Sequence, residues 1–422
     1  MKFVLAFYGT RGDVEPGVAV GRELLRRGHD VRMAVPPDLV GFAEAAGLAA
    51  AAYGPDIQAW LESTRNFWTR VFRNFWKIRE LKELLRESRE PGTQCWGAMS
   101  TMLTSLADGA DLLLTGVSYE ELAANVAEYR GIPLATLLWF PMRVNGHVVP
   151  ILPSPLIRLA MTVYEWLVWR GVKKVQDMQR RGLGLPKATG PAPRRIAEQG
   201  SLEIQAYDEV CFPGLAAEWA KWDGRRPFVG TLTMELATDA DEEVASWIAA
   251  GTPPICFGFG SIPVESAADT LAMIGAACAQ LGERALVCAA ASDFSSVPHF
   301  EHVKVVGAVN YAAVFPACRA VVHHGGAGTT AAGLRAGVPT LILWMADVQV
   351  IWGAAVKRLK VGTARRFSTA TEKSLVADLR TILAPEYLAR AREVATRMTK
   401  PADSVAAAAD LLENSARLRG FG

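Results

Sequence analysis

The sequence predicts an α/β protein with two doubly wound parallel sheets, and three observations support the prediction. The chain has 422 residues, which is too long for one simple core and indicates two domains. Short apolar runs alternate with amphipathic helical stretches toward both ends of the chain. Glycine-rich turns follow strands in each half, at the sheet edge where such folds place their ligands.

The first half opens with a β-α-β unit. Residues 2–8 are predicted as a strand, and a helix is expected from about Pro16 to Arg27, with Gly28 placed to end it. A second strand follows at 29–35. Later strands of the same domain are expected at 111–115 and 134–139. This alternation is typical of a Rossmann-like domain.

The second half repeats the alternation without a shared sequence motif. A helix is predicted at 268–281, and strands are predicted at 255–259, 285–290, 303–306, 320–322 and 340–343. Residues 212–232 hold Pro213, Gly214, Pro227 and Gly230 and are predicted to be the linker. We therefore predict domains at 1–225 and 226–422 that face each other across a cleft. The Ala- and Arg-rich tail from residue 385 is predicted to be helical and could pack on either domain.

Composition excludes several classes of protein. A formal net charge of +2 gives no electrostatic sign of nucleic-acid binding. Six scattered cysteines indicate reduced thiols and a cytoplasmic protein. The N-terminal apolar run is too short for a signal peptide and predicts a buried strand. The longest apolar stretch, 151–169, is broken by prolines and charges, so no membrane span is expected.

The strongest functional signal is the run HHGGAGTT at 323–330, between a predicted strand and a helix. Glycines at such a turn let backbone N–H groups approach a diphosphate, and the helix N-terminus adds roughly half a positive charge. Threonines there can cap the helix or donate to phosphate oxygens, as can a histidine. The alternative, a tight turn with two incidental histidines, explains the pair poorly. The candidate ligands are His323, His324, Gly325, Gly326, Gly328 and Thr329.

The second signal is GTRGDVEP at 9–16, after the first strand. Asp13 directly precedes a predicted helix, and a capping or first-turn acid is one reading. The other reading is a general base, because a carboxylate with an ordinary pKa of about 3.9 is ionised at neutral pH. Arg11 could bind a diphosphate or pair with Asp13 or Glu15.

Two weaker signals concern phosphates and metals. GFGS at 258–261 is a glycine turn in which Pro263 replaces the last glycine of a dinucleotide fingerprint, which argues against NAD. Beside the Gly325 loop it would form a second wall for the same phosphates. Asp239-Ala240-Asp241 imitates a metal-binding motif, but acids at a helix start are the ordinary explanation. We therefore expect no metal and no cofactor.

An aromatic and basic segment covers residues 65–79. Its apolar side chains fall mainly on one face of a predicted helix and most of its cations fall opposite. The segment could be a core helix, a helix on anionic lipid, or a wall that binds an acceptor. The stretch 156–169 carries the same ambiguity.

The pairing of GTRGDVEP near residue 10 with HHGGAGTTAAGLRAGVP near 323 resembles the GT-B glycosyltransferases of family 1. It is most similar to the branch that holds sterol and glycopeptide-antibiotic glycosyltransferases, and residues 340–362, with WGAAV, resemble the same branch. Within that branch the chain resembles the mycobacterial enzymes that decorate glycopeptidolipids. The resemblance covers essentially the whole chain.

The resemblance implies roles for individual residues. Asp13 would be the base that activates the acceptor, and Val309, Asn310 and Tyr311 would hold the nucleotide base and ribose. The diphosphate would be held by Thr10, Arg11, Gly12, Ser261, His323 and the 325–329 loop. The acceptor side would include Phe67, Trp68, Phe72, Trp139 and Met142.

In relatives an adjacent Asp-Gln pair meets the sugar hydroxyls. Here Gln349 keeps its place, Val348 stands where the acid belongs and Asp347 lies one residue early. This difference favours a 6-deoxyhexose donor. The expected reaction is a metal-independent, inverting transfer from a dTDP- or UDP-sugar to a hydroxyl of a lipopeptide or glycolipid, with no nucleic-acid partner.

Three alternatives remain at this stage. They are a sterol or other lipid UDP-glucosyltransferase, a sugar-nucleotide epimerase, and a non-catalytic helper that binds nucleotide sugars. For the main reading we expect a cytoplasmic protein that contacts the anionic inner face of the membrane.

Overall fold

A computed structural model describes residues 1–57, 94–148, 152–222, 224–260, 266–289, 300–345 and 347–418, with the backbone alone at Asp347. Four predicted site residues, Phe67, Trp68, Phe72 and Ser261, lie outside the described residues. The two predicted parallel sheets are confirmed, and each has six strands.

The first sheet has the strand order β3-β2-β1-β4-β5-β6. In chain order this half contains β1 (Lys2–Ala6), α1 (Arg11–Arg26), β2 (Asp30–Val35), α2 (Val40–Ala45), β3 (Ala49–Ala52), α3 (94–106), β4 (Leu112–Thr115), α4 (Glu120–Arg130), β5 (Leu134–Leu138), α5 (Ser154–Gly182), α6 (Ala192–Glu198), β6 (Leu202–Gln205) and α7 (Leu215–Trp219).

The second sheet has the order β12-β11-β10-β7-β8-β9, which is the same Rossmann order. Its half contains α8 (Asp241–Ala249), β7 (Ile255–Gly258), α9 (Ala267–Leu281), β8 (Ala285–Cys288), β9 (Val303–Val306), α10 (Tyr311–Val314), β10 (Ala320–His323), α11 (Ala327–Ala336), β11 (Thr340–Trp344), α12 (Asp347–Leu359), β12 (Gly362–Arg366), α13 (Glu372–Ile382), α14 (Pro385–Ala395) and α15 (Pro401–Arg417).

The strand order places the predicted motifs at the two topological switch points. β1 lies between β2 and β4, and β10 lies between β11 and β7, so both central strands are buried on both faces. Phe3 and Leu5 pack on one side of the first sheet and Val4 on the other. Asp13 follows β1 and the glycine loop follows β10, each at the carboxyl edge of its sheet.

The structure corrects one helix boundary and adds three strands. α1 begins at Arg11 rather than at Pro16, because Thr10 is its N-cap and Pro16 is accommodated inside the helix. The strands β3, β6 and β12 had no sequence signal. β3 consists of four alanines, whereas β6 and β12 are short edge strands with polar residues.

Two segments cross between the halves. Residues 225–229 run beside β6, where Gln205 N–H donates to the Pro227 carbonyl at 2.8 Å. The last helix, α15, returns to pack on α1, and Arg27 pairs with Asp410 at 2.6 Å. The tail that we assigned to the second domain therefore contacts the first, and the boundary at 225/226 stays a prediction. Among the described residues, no helix is long and apolar enough to cross a membrane.

Candidate active site

Asp13 lies in the first turn of α1, at the carboxyl edge of the first sheet. Its Oδ2 accepts hydrogen bonds from the Thr10 N–H at 2.7 Å and from the Thr10 hydroxyl at 2.9 Å. Gly9 has a φ of +138°, and a Cβ there would stand 2.4 Å from the same oxygen. Only glycine fits at residue 9 while the carboxylate keeps this position. The first-turn contact that the sequence predicted is present, and it leaves Oδ1 of Asp13 outside these bonds.

The partly buried Asp13 resists ionisation. Burial raises the pKa of Asp13 to about 6, and the two hydrogen bonds from Thr10 work in the opposite direction. A carboxylate with a pKa near the working pH is a better proton acceptor than an exposed one and is still ionised at pH 7. The geometry is therefore compatible with both predicted roles of Asp13, the first-turn acid and the general base.

Arg11 and Glu15 connect this turn to the second half. Arg11 is half-exposed, lies 3.5 Å from Glu15 and covers the Phe42 ring at 4.7 Å. Glu15 accepts a hydrogen bond from the Met234 N–H at 3.0 Å. Burial raises the pKa of Tyr311 well above its ordinary value, and the charges of Arg11 and Glu15 act on the same hydroxyl. Of the pairings predicted for Arg11, the one with Glu15 is present.

His323 ends β10 and is almost fully buried. Its Nδ1 accepts a hydrogen bond from the Gly325 N–H at 2.9 Å, which places the ring proton on Nε2. Nε2 has no hydrogen-bond partner within the described part of the chain. Burial, with a smaller effect of His324, lowers the pKa of His323 to about 3. His323 is therefore neutral at pH 7 and offers one buried N–H donor.

His324 fills the space between the two glycine turns. A Cβ on Gly260 would stand 2.5 Å from its ring, and a Cβ on Gly326 would stand 2.7 Å from its Nε2. Burial lowers the pKa of His324 to about 4, while a hydrogen bond with the Gly258 backbone raises it. The described part of the predicted turn, residues 258–260, thus approaches the Gly325 loop through the imidazole ring of His324.

The N-terminus of α11 is open. Gly326 is the N-cap and has no side chain to accept from the first N–H groups. The Thr330 hydroxyl donates to the Gly326 carbonyl at 2.8 Å and does not cap the helix, while Thr329 is partly buried. The nearest atom to a Cβ on Gly328 is a Thr233 methyl at 3.5 Å, an ordinary contact. Free N–H groups and the helix dipole favour an anion at this end.

Gln349 lies directly behind the glycine loop. A Cβ on Gly325, whose φ is +97°, would stand 3.1 Å from the Gln349 Cβ and 2.8 Å from the Ile342 methyl. The buried Gln349 accepts a hydrogen bond from the Met345 N–H at 2.6 Å. Val348 is 42% exposed, and the side chain of Asp347 lies outside the described residues. The predicted phosphate loop and the sugar-binding segment are therefore adjacent.

The segment predicted to hold the nucleotide base and ribose begins at the buried Val309. Its next residue, Asn310, is the N-cap of α10. Asn310 accepts from the Ala312 N–H, and the Tyr311 hydroxyl lies against Gly258, where a Cβ would stand 2.8 Å away. Asp241 accepts from the Asn310 N–H at 2.9 Å. Although burial acts against it, hydrogen bonds from Asn310 and Thr238 hold the pKa of Asp241 below its ordinary value. Asp241 therefore anchors this segment, as expected for an acid at a helix start.

Two residues predicted for the acceptor side, Trp139 and Met142, lie in the described part of the first half. Trp139 is buried at the carboxyl edge of β5, its ring 3.2 Å from where a Gly116 Cβ would stand, and Met142 is half-buried nearby. Sequence reasoning missed an aromatic cluster at the same edge, in which Tyr119 packs edge-on at 5.0 Å from Tyr8. Tyr119 has a φ of +59°, uncommon for a non-glycine residue. The sequence does carry a signal for this cluster, because Tyr8, Tyr53 and Tyr119 each lie shortly after a strand.

Among the described residues, no group of three or more His, Cys, Asp or Glu side chains could hold a metal ion. Metal independence stays a prediction.

Two six-stranded parallel sheets in Rossmann order, each with a predicted site motif at its carboxyl edge, form a GT-B architecture. Residues 3–95 match the glycosyltransferase family 28 N-terminal domain, and residues 258–413 match the erythromycin biosynthesis protein CIII-like C-terminal domain. An uncharacterized glycosyltransferase of Mycobacterium tuberculosis is 64% identical over 99% of both chains. The chain belongs to this family of glycosyltransferases.

More distant proteins share its fold. A sterol 3-beta-glucosyltransferase of Arabidopsis thaliana is 28% identical over 97% of this chain and 67% of its own length. The glycotransferase of kitacinnamycin superposes with a TM-score of 0.71 at 18% identity, covering 98% of both chains. The glycosyltransferase VinC, solved in complex with dTDP, gives a TM-score of 0.65 at 17% identity over 99% of this chain and 100% of its own.

Proposed function

We propose that the protein transfers a hexose, with inversion, from a nucleotide-diphosphate sugar to a hydroxyl group, and that Asp13 is the general base. The observation that carries the proposal is the partly buried Asp13 carboxylate, whose pKa is raised to about 6. The acceptor oxygen attacks the anomeric carbon as Asp13 takes its proton, and the bond from that carbon to the diphosphate breaks. The acceptor oxygen attacks the face opposite the departing diphosphate oxygen in a single displacement, so the anomeric configuration inverts.

The second half would bind the departing nucleoside diphosphate. The buried Nε2–H of His323 and the open N-terminus of α11 are donors already in place, and Arg11 stands at the opposite edge. Preorganised donors stabilise developing negative charge without reorganisation. No metal is required in this arrangement, so we expect transfer to survive a chelator. Loss of activity that magnesium or manganese restores would contradict this point.

We propose a 6-deoxyhexose as the sugar. Val348 is 42% exposed and offers no hydrogen bond where an acid that holds a sugar hydroxyl is expected. A sugar hydroxyl that binding buries against it without a partner would cost roughly 1–3 kcal/mol. A methyl group at C6 meets a valine without that cost. The buried Gln349 beside the phosphate loop remains in position for the neighbouring hydroxyls.

The first half would bind the acceptor, for which we propose a lipopeptide or glycolipid of the glycopeptidolipid type. The buried Trp139 and the aromatic cluster of Tyr8 and Tyr119 line the edge that carries Asp13, and they suit a partly apolar molecule. We place the reaction in the cytoplasm at the inner face of the membrane, where such precursors and nucleotide sugars meet.

A sterol or other lipid glucosyltransferase is the second candidate, and the Arabidopsis relative favours it. Competition between dTDP-rhamnose or dTDP-6-deoxytalose and UDP-glucose, with a total lipid extract as acceptor, separates the two by mass spectrometry. We expect the deoxysugar to win. A tenfold advantage for UDP-glucose, about 1.4 kcal/mol, would overturn the sugar assignment and leave the transferase class intact.

The same assay tests two further alternatives. An epimerase would convert labelled donor without any acceptor, and a non-catalytic helper would bind nucleotide without product. We expect neither result, because Asp13 is present and is held by Thr10 in a partly buried site.

A further inference from the structure

The helix α5 (Ser154–Gly182) has an outward face that the fold does not use. Its buried residues, Ile157, Gln176, Gln179 and Arg180, face the first domain, and Gln179 bonds to Trp96 and Asn125. At 100° per residue, a separate set falls within a sector of about 120° that points away from that face. We call this set the α5 stripe: Leu156, Leu159, Val163, Trp166, Leu167, Arg170, Lys174, Met178 and Arg181.

The first half of the stripe is apolar and exposed. Leu159 is 61% exposed and Leu167 56%, with Leu156, Val163 and Trp166 between 45% and 55%. About half of the large apolar side chains that are exposed in the described residues lie between 152 and 178. A contiguous apolar patch of this kind marks a surface that meets another apolar phase.

The second half of the stripe is basic. Arg170, Lys174 and Arg181 form no ion pair within the described part of the chain, and Arg170 lies over the Trp166 ring at 4.7 Å. The two acids of α5 do not offset this charge. Glu165 faces the opposite side of the helix. Asp177 falls in the sector of the stripe, but its side chain is only 17% exposed and is paired with Lys173 at 3.0 Å. The stripe therefore combines exposed apolar surface with unpaired positive charge.

We propose that the α5 stripe docks the protein on an anionic lipid bilayer, with the helix lying in the plane of the interface. Leucine, valine and tryptophan would enter the headgroup region, while arginine and lysine would meet lipid phosphates. A helix of 29 residues gives about 43 Å of contact. The proposal rests on this surface alone and does not depend on the proposed function.

The positive charge of the α5 stripe favours a bilayer over a second copy of the chain as its partner. In a two-fold dimer through α5, parallel helices would oppose the cations of one stripe to those of the other. Antiparallel helices would cover leucines with unpaired arginine and lysine. An anionic bilayer satisfies both halves of the stripe at once.

The direction of α5 relates docking to the active site. α5 follows the loop after β5, so its apolar end lies at the carboxyl edge that carries Asp13, and Ser154 is fixed there by the Gly146 carbonyl at 3.0 Å. Docking would therefore turn the first-domain side of the site toward the membrane.

Co-sedimentation of the full chain with vesicles tests the proposal without any activity measurement. Vesicles of phosphatidylcholine mixed with phosphatidylglycerol should bind the protein, vesicles of phosphatidylcholine alone should bind it on the order of tenfold less, and added salt should weaken binding. The apolar variant Leu159→Ser/Leu167→Ser and the charge variant Arg170→Glu/Lys174→Glu should each lose on the order of tenfold or more.

Matched controls lie off the stripe. Tyr129→Ser removes an exposed apolar residue on α4, and Lys373→Glu/Arg380→Glu makes the same charge change on α13. Both controls should bind like the unchanged protein. Equal circular dichroism and thermal unfolding of the stripe variants would show that they fold.

Three results would overturn the proposal. The first is no preference of the unchanged protein for anionic vesicles, and the second is unchanged binding by both stripe variants. The third is a dimer in solution that only the stripe variants convert to a monomer, which would assign the surface to self-association.

Discussion

At the residue scale, one carboxylate orders the first turn of α1, and we propose that it also acts as the general base. Asp13 accepts two hydrogen bonds from Thr10 in the first turn of α1, and its pKa is raised to about 6 by burial. The sequence predicted both tasks, first-turn acid and base, as alternatives. The structure shows that the contacts that order the turn also hold the carboxylate at the sheet edge.

The pH dependence of transfer follows from this geometry. A base must be deprotonated, so kcat/KM should rise with pH through an apparent pKa near that of Asp13, about 6. Thr10→Val removes the hydroxyl hydrogen bond that favours the ionised form of Asp13. The rising limb of the pH profile of kcat/KM should therefore move to higher pH in this variant. Thr10→Ser keeps the hydroxyl and should leave the limb in place. An identical limb in all three proteins would disconnect Asp13 from the profile.

The Asp13 contribution to folding stability should fall as pH rises, whereas the transfer rate should increase. A carboxyl whose pKa is raised on folding contributes stability below its unfolded pKa, and this contribution is lost as pH rises through the folded pKa. The Asp13→Asn variant has no carboxyl group to ionise, so it does not lose this stability as pH rises. Its side-chain amide oxygen can still accept the hydrogen bonds from Thr10. Relative to the unchanged protein, the variant should therefore gain on the order of 1–3 kcal/mol in unfolding free energy between about pH 4 and about pH 8. Urea unfolding at both pH values measures this, and a loss at the higher pH would refute the burial argument.

At the element scale, the strand β10, its glycine loop and the helix α11 form one structural unit, to which we assign the binding of the diphosphate. His323 holds the loop through Gly325 N–H, and His324 spaces it from the β7 turn. The sequence predicted the unit because glycine and histidine after a strand are distinctive. It could not predict which histidine nitrogen stays unpaired, since that depends on the fold of residues 323–325.

Nucleotide affinity should depend on that nitrogen. His323→Asn keeps an acceptor for Gly325 N–H but removes the Nε2–H donor, so dTDP or UDP affinity should fall by roughly 1–2 kcal/mol with little change in stability. His323→Ala should lose affinity and stability together. Calorimetric titration that finds unchanged affinity in His323→Asn would show that Nε2 does not meet the diphosphate.

Gly328 gives an independent probe of the same helix end. A Cβ there meets the Thr233 methyl at an ordinary 3.5 Å, so Gly328→Ala should fold normally. The added methyl would obstruct a diphosphate that approaches the N–H groups, and affinity should fall roughly tenfold or more. Affinity equal to that of the unchanged protein would place the diphosphate elsewhere.

At the scale of the whole molecule, the sequence predicted the architecture and left the connections open. Central strands such as β1 and β10 are apolar except for one end residue each, Lys2 and His323, and were predicted almost to the residue. The edge strand β3 is an alanine run whose pairing depends on tertiary contacts. The return of α15 to α1 depends on ion pairs 383 residues apart, such as Arg27 with Asp410, which local patterns do not encode.

The candidate site, like the fold, was predictable from the sequence only where local motifs mark it. Asp13 and the 323–330 loop could be proposed from the sequence because each lies in a motif at the carboxyl end of a central strand. The Glu15 contact with Met234 and the aromatic cluster around Tyr119 join distant segments, so only the folded chain brings them together.

The transfer rate of Asp13→Asn, measured beside its nucleotide affinity, tests the central claim most directly. With whichever donor serves the unchanged protein, the variant should lose about 10²–10⁴-fold in transfer because the proton acceptor is gone. Its affinity for dTDP or UDP should stay within about twofold, since that site belongs to the second sheet. Near-normal turnover by this variant would contradict the assignment of Asp13 as the base.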